Sequence, residues 1–109
     1  MKVYIAHPYG GKEENKLKVE SIIKDLVSQY DNVIFISPIH LFGYLYSEVS
    51  YLKGMEWCLN ILKECDELWL CDGWIDSKGC RMEYDYAKQH HIPIKHIQKG
   101  GGANASHNT

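Results

Sequence analysis

Four short, mainly apolar runs, Val3 to Ala6, Val33 to Ile36, Glu67 to Cys71 and Ile92 to Ile97, alternate with three stretches whose apolar residues recur at helical spacing. That alternation constrains the fold more than anything else in the chain. Each run is too short for a buried helix and suits a strand covered on both faces. Leu17, Ile22, Ile23, Leu26, Val27 and Tyr30 mark an amphipathic helix from Lys12 to about Tyr30, and Leu52, Met55, Leu59 and Leu62 mark a second over Tyr51 to Glu64. A third runs from Gly79 to His91. Strands joined through helices cannot pair as tight hairpins, so the reading is a parallel sheet with right-handed crossovers and helices on both faces, a three-layer α/β domain. Pro38 ends the second run and Pro93 lies near the start of the last, positions where a missing N–H is tolerated. The aromatic segment Ile39 to Ser50 has no clean period and reads as a loop or lid. No internal repeat is visible.

The 109 residues, 45% of them hydrophobic, can build one modest core and leave no room for a second domain. The domain is expected to span 1–98. The remainder, 99–109, reads KGGGANASHNT, is small, polar and glycine-rich, and is expected to be disordered. It contains the sequon Asn104-Ala105-Ser106, but the opening apolar run is far too short for a secretory signal. No window approaches the roughly 20 apolar residues of a membrane span, so no membrane partner and a cytoplasmic location are expected. A formal charge of -2 gives no long-range attraction to polymeric nucleic acid or anionic lipid. Any anion must be held locally. Cys58, Cys65, Cys71 and Cys80 match neither a zinc knuckle nor a dense disulfide scaffold and read as reduced core residues; no metal site is expected.

In a doubly wound sheet, ligands bind outside the carboxyl ends of the strands. Three loops qualify: His7 to Lys12, the segment after Ser37, and Asp72 to Gly79. Gly10 and Gly11 let main-chain N–H groups approach an anion at the start of the first helix, and Lys12 adds a cation there; an ordinary turn is the plainer reading. Ser77 suits an N-cap of the third helix, with Gly79 permitting close approach, and the same features suit a phosphate. Glu83 follows within about a turn, where the helix dipole should keep it ionised at neutral pH. An ionised carboxylate can attack an anomeric carbon, although glutamate is also simply favourable early in helices. Trp74 is the aromatic placed to stack on a base, whereas Trp57 and Trp69 fall on core-facing elements. His40 suits either a ligand contact or a structural hydrogen bond, and Asp72 and Asp76 either sugar hydroxyls or Asx turns.

Three stretches in this order, VYIAHPYGG near the start, CDELWL from Cys65 and DSKGCRMEYDYA from Asp76, resemble the nucleoside 2-deoxyribosyltransferase-like superfamily, in particular its small bacterial and phage domains. The likeness covers most of Lys2 to Ile97. It implies a flavodoxin-like sheet of four to five parallel strands. It also implies that Glu83 is the nucleophile toward C1′ of a deoxyribosyl group and that Tyr4 orients it. In the deoxynucleoside monophosphate N-glycosidases of that superfamily, a glycine-rich first loop and a serine six residues before the nucleophile hold the 5′-phosphate. His7 to Lys12 and Ser77 occupy those positions here, so a phosphorylated small molecule is the expected ligand. No cofactor is expected, and because members of the family commonly dimerise, a homodimer or higher homo-oligomer is expected. Two positions depart from the pattern. Cys58 stands where catalytic members carry an acid, with Glu56 roughly 200° away around a helix. Asp85 replaces the glycine of E-x-G-x-A. The expectation is a nucleotide N-glycosidase or deoxyribosyltransferase-like enzyme; the alternatives are a nucleotide-binding module without catalysis and a scaffold that self-associates through Tyr44 to Tyr51.

Overall fold

A computed structural model describes residues 1–97. The tail from Lys99 and its sequon lie outside the described residues. In chain order the elements are β1 (Lys2–Ala6), α1 (Glu13–Gln29), β2 (Ile34–Ile36), α2 (Pro38–Phe42), α3 (Tyr51–Lys63), β3 (Glu67–Leu70), α4 (Lys78–Gln89) and β4 (Ile94–His96). Short 3-10 turns at Gly43–Leu45 and Trp74–Asp76 precede α3 and α4.

The four strands form one all-parallel sheet in the order β2-β1-β3-β4. This is a flavodoxin-like three-layer α/β sandwich. Alternation along β1 assigns its side chains to two cores. Val3 and Ile5 join Val19 and Leu26 of α1, Trp69 and Cys71 on one face. Tyr4 and Ala6 join Leu62 of α3, Cys80 and Ala87 of α4, Leu68 and Leu70 on the other. Strand residues two apart share a face, so the central strands β1 and β3 are apolar on both sides.

Two segments differ from the sequence reading. Ile39 to Ser50 is largely ordered as α2 and its 3-10 turn, because Pro38 occupies the first helical turn, where it needs no N–H, and Ser37 caps it. Strand β2 is shorter than expected and lies at the sheet edge, which leaves Ile34 58% exposed instead of covered on both faces.

The chain leaves β1 toward β2 on one side and returns to β3 on the other. The crevice beyond the carboxyl ends of β1 and β3 is therefore the topological switch point of the sheet. The loops His7 to Lys12 and Asp72 to Ser77 flank it.

Candidate functional site

Tyr9 and Lys12 close a turn by a main-chain hydrogen bond of 3.1 Å, and the two residues between them, Gly10 and Gly11, have φ of +62° and +74°. Glycine enters that left-handed region without the steric conflict a Cβ creates. On the other side of the crevice, the Ser77 hydroxyl accepts from the Cys80 N–H at 3.3 Å and caps α4, as expected. Gly79 lies where a Cβ would stand 3.1 Å from the Tyr51 hydroxyl and 3.3 Å from Met55 Sδ, so its absence lets α3 and α4 approach closely.

Between these elements is a cavity of about 220 Å³ bordered by His7, Gly10, Ser77, Gly79 and Glu83. Its walls are aromatic and apolar: Pro38, Ile39 and Phe42 from α2, and Met55, Trp57 and Cys58 from α3. A cleft continues from it past Gly10, Ser77 and Gly79 to Lys12, Lys78 and Asp76. The two spaces share the Gly10 turn and the start of α4.

Glu83 is only 5% exposed and borders the cavity floor. Its Oε2 accepts a hydrogen bond from the Tyr4 hydroxyl, a contact between the central strand and α4. Burial pushes the Glu83 carboxyl up to about 7, and the Tyr4 hydrogen bond opposes that rise. The expectation that the helix dipole keeps Glu83 ionised at neutral pH is not met. Desolvation overrides it, because the dipole acts mainly within the first turn and is worth only about 0.3–1 kcal/mol, whereas taking a carboxylate out of water costs several. Tyr4, fully buried, is raised well above its ordinary value by burial and then by the Glu83 charge, so it remains the donor. Cys58 is hydrogen-bonded to Tyr4 and pushed up to about 11, first by burial and then by Glu83. It is a neutral thiol in the site. Glu56, by contrast, is exposed, as its helical offset requires.

His7 is half-buried with its Nδ1 2.7 Å from the Pro8 carbonyl, and burial lowers its pKa below the ordinary histidine value. A carbonyl only accepts, so Nδ1 carries the proton and Nε2 is the acceptor of the neutral ring.

Other candidates lie elsewhere. His40 does not border the cavity; its Nε2 donates to Glu20 Oε2 at 3.0 Å and its Nδ1 is 2.7 Å from Ser37 Oγ, so it ties α2 to α1. Trp74 stacks on Tyr84 at 4.7 Å between centroids and packs against the α3/α4-side core, away from both the cavity and the cleft. Gly11 shapes the turn, with the Tyr46 ring 3.0 Å from the place of its missing Cβ. Asp76 borders the cleft and Asp72 does not. Aromatic residues that do face the cavity include Phe42 and Trp57, with centroids 5.5 Å apart, alongside Tyr9, Tyr46 and Tyr51. The expectation that Trp57 is a core residue is thus corrected, because its face of α3 turns toward the cavity. Ser50, Gly54, Met55, Trp57 and Cys58 all border the cavity, and the helical spacing of 54, 57 and 58 was the signal that α3 turns a face toward it. Among the described residues, no group of three His, Cys, Asp or Glu side chains is arranged to hold a metal ion, all four cysteines are free thiols, and no helix is long and apolar enough to cross a membrane.

The arrangement defines a class: a doubly wound α/β protein with a buried carboxyl beneath a switch-point cavity. The chain belongs to the family described as Domain of unknown function (DUF4406), whose model matches residues 1–96. No curated protein matches it.

Proposed function

We propose that the protein cleaves the N-glycosidic bond of a nucleoside monophosphate, with Glu83 as nucleophile. The observation that carries this reading is the Glu83 carboxyl, buried at the floor of a cavity, bonded to the Tyr4 hydroxyl, and set beside a glycine turn and a capped helix start. A buried carboxyl near its midpoint at neutral pH is costly to the fold and is the kind of group found where chemistry is done. The family description names no activity, so the reading rests on this geometry and on the motif resemblance to nucleoside 2-deoxyribosyltransferases.

In this scheme the 5′-phosphate occupies the cleft, held by main-chain N–H groups of the Gly10-Gly11 turn and the start of α4, by the Ser77 hydroxyl, and by Lys12 and Lys78. The base lies against Phe42 and Trp57. Tyr4 fixes the carboxyl rotamer and stabilises the charged form. A carboxylate oxygen of Glu83 bonds to C1′ as the C1′–N bond breaks; the bonding pair leaves with the base, which takes up a proton. Water or an acceptor base then displaces the carboxylate. No cofactor or metal enters this scheme, and a homo-oligomer is compatible with it.

A second reading, a nucleotide-binding module without catalysis, is favoured by one observation: the thiol of Cys58 faces the cavity where catalytic members of the superfamily that the chain resembles place an acid. Incubation with deoxyribonucleoside and ribonucleoside monophosphates, followed by chromatography, separates the two. Release of free base that falls about a thousandfold or more in Glu83→Ala is the expected result; tight binding without release, indifferent to Glu83→Gln, overturns the enzyme reading.

A further inference from the structure

If Glu83 forms a glycosyl ester, something must take a proton from the water that resolves it. Cys58 cannot, because it stays a protonated thiol. Among the described residues around the cavity, the other ionisable side chains besides His7 and Glu83 itself are tyrosines and cysteines, and phenols and thiols are donors near neutrality rather than bases. His7 has the opposite character. It borders the same cavity as Glu83, at the carboxyl end of the strand that supplies Tyr4, and its ring is fixed by the Nδ1–H bond to the Pro8 carbonyl. That bond selects the tautomer in which Nε2 carries a lone pair and no proton.

We propose that His7 is the general base for hydrolysis of the glycosyl–Glu83 intermediate. This rests on the N-glycosidase reading and assigns a step which that reading leaves open. Nε2 takes one proton of a water molecule as the water oxygen bonds to C1′. The C1′–Oε bond breaks, and its electron pair returns to Glu83 as carboxylate. The imidazolium then releases its proton to solvent. Burial of His7 supports the role, since it favours the neutral ring that can accept.

The test isolates the second step. In 7-methyl-2′-deoxyguanosine 5′-monophosphate the base is already cationic and departs without protonation, so formation of the intermediate needs no acid. His7→Asn keeps an N–H near the Nδ1 position for the Pro8 carbonyl and removes Nε2. With this probe, His7→Asn is expected to release a burst of base equal to the enzyme present and then to turn over about 100-fold or more slowly than wild type. A Glu83 adduct should accumulate in the intact mass spectrum, and azide, which needs no base, should restore turnover. A thermal melt like that of wild type shows that the variant is folded; His7→Gln is the substitute if it is not. Steady turnover within about threefold of wild type, or a variant slowed equally in burst and steady state, overturns the assignment to His7 while leaving the Glu83 reading intact. Absence of base release by wild type overturns both.

Discussion

The two faces of the sheet are built from the same strands and do opposite things. Toward α1 the core is apolar and aromatic: Trp69, fully buried, meets Tyr30 and Phe35 edge-to-face at 5.2 and 5.6 Å, and its indole N–H donates to Glu67 at 2.8 Å. Among the described residues no buried side-chain nitrogen or oxygen lacks a partner on either face, and on this one burial contributes directly to stability. Toward α3 and α4, the same β1 strand contributes Tyr4, and the helix across from it contributes a carboxyl that burial moves to about 7. Both faces bury apolar side chains, but the second also gives up some stability to keep an ionisable group away from water. The contrast singles out the α3/α4 face as the one that carries the candidate site.

The largest expected effect is on the α1 face. Trp69→Ala should cost about 3–5 kcal/mol in urea unfolding, a large share of the roughly 5–15 kcal/mol available to a domain. A loss below about 1 kcal/mol would mean that this face is not the anchor. Next comes the pH dependence of stability from Glu83. Below about pH 4.5 both folded and unfolded chains hold the proton. Above it the unfolded chain releases the proton while the native state keeps it to about 7. Stability should therefore fall as pH rises from about 4.5 to 7, by about 3 kcal/mol, and then level off. Glu83→Gln should remove this fall and be more stable than wild type above pH 7, while releasing no base. Equal pH profiles for the two proteins would contradict the burial argument.

Two smaller effects sharpen the site. Trp57→Leu should raise KM for a cleaved nucleotide about tenfold, since stacking on a base is worth about 1–3 kcal/mol, whereas Trp74→Leu should change it by no more than about twofold. The reverse ranking would restore Trp74 as the base platform. Tyr4→Phe removes the hydrogen bond that favours the charged carboxyl. The rise of kcat/KM with pH, expected near 7 from Glu83, should move to higher pH by at least about one unit. A shift to lower pH would show that Tyr4 does not stabilise the carboxylate.

Much of the architecture was legible in the residues. The four apolar runs and the helical spacing between them identified the strands and the three long helices within a few positions, though not α2, because strand and helix periodicities are local properties. Gly10-Gly11 and Ser77 were legible for the same reason, since a left-handed turn and a helix cap need particular residues in place. His40 and Trp74 were not. Whether a histidine in an aromatic segment meets a ligand or a glutamate depends on which helix packs beside it; here Glu20 of α1 does. Whether a loop tryptophan is free to stack depends on what lies under it, and Tyr84 does.

The sequence by itself determined a parallel α/β sheet, its switch-point loops and the candidate Glu83. Only the tertiary structure decided that Glu83 is buried, that its hydrogen-bond partner lies 79 residues away on β1, and that the facing helix presents Trp57 and a thiol. Periodicity is written within a few neighbouring residues, whereas desolvation and a proton's affinity are set by groups brought together from distant parts of the chain.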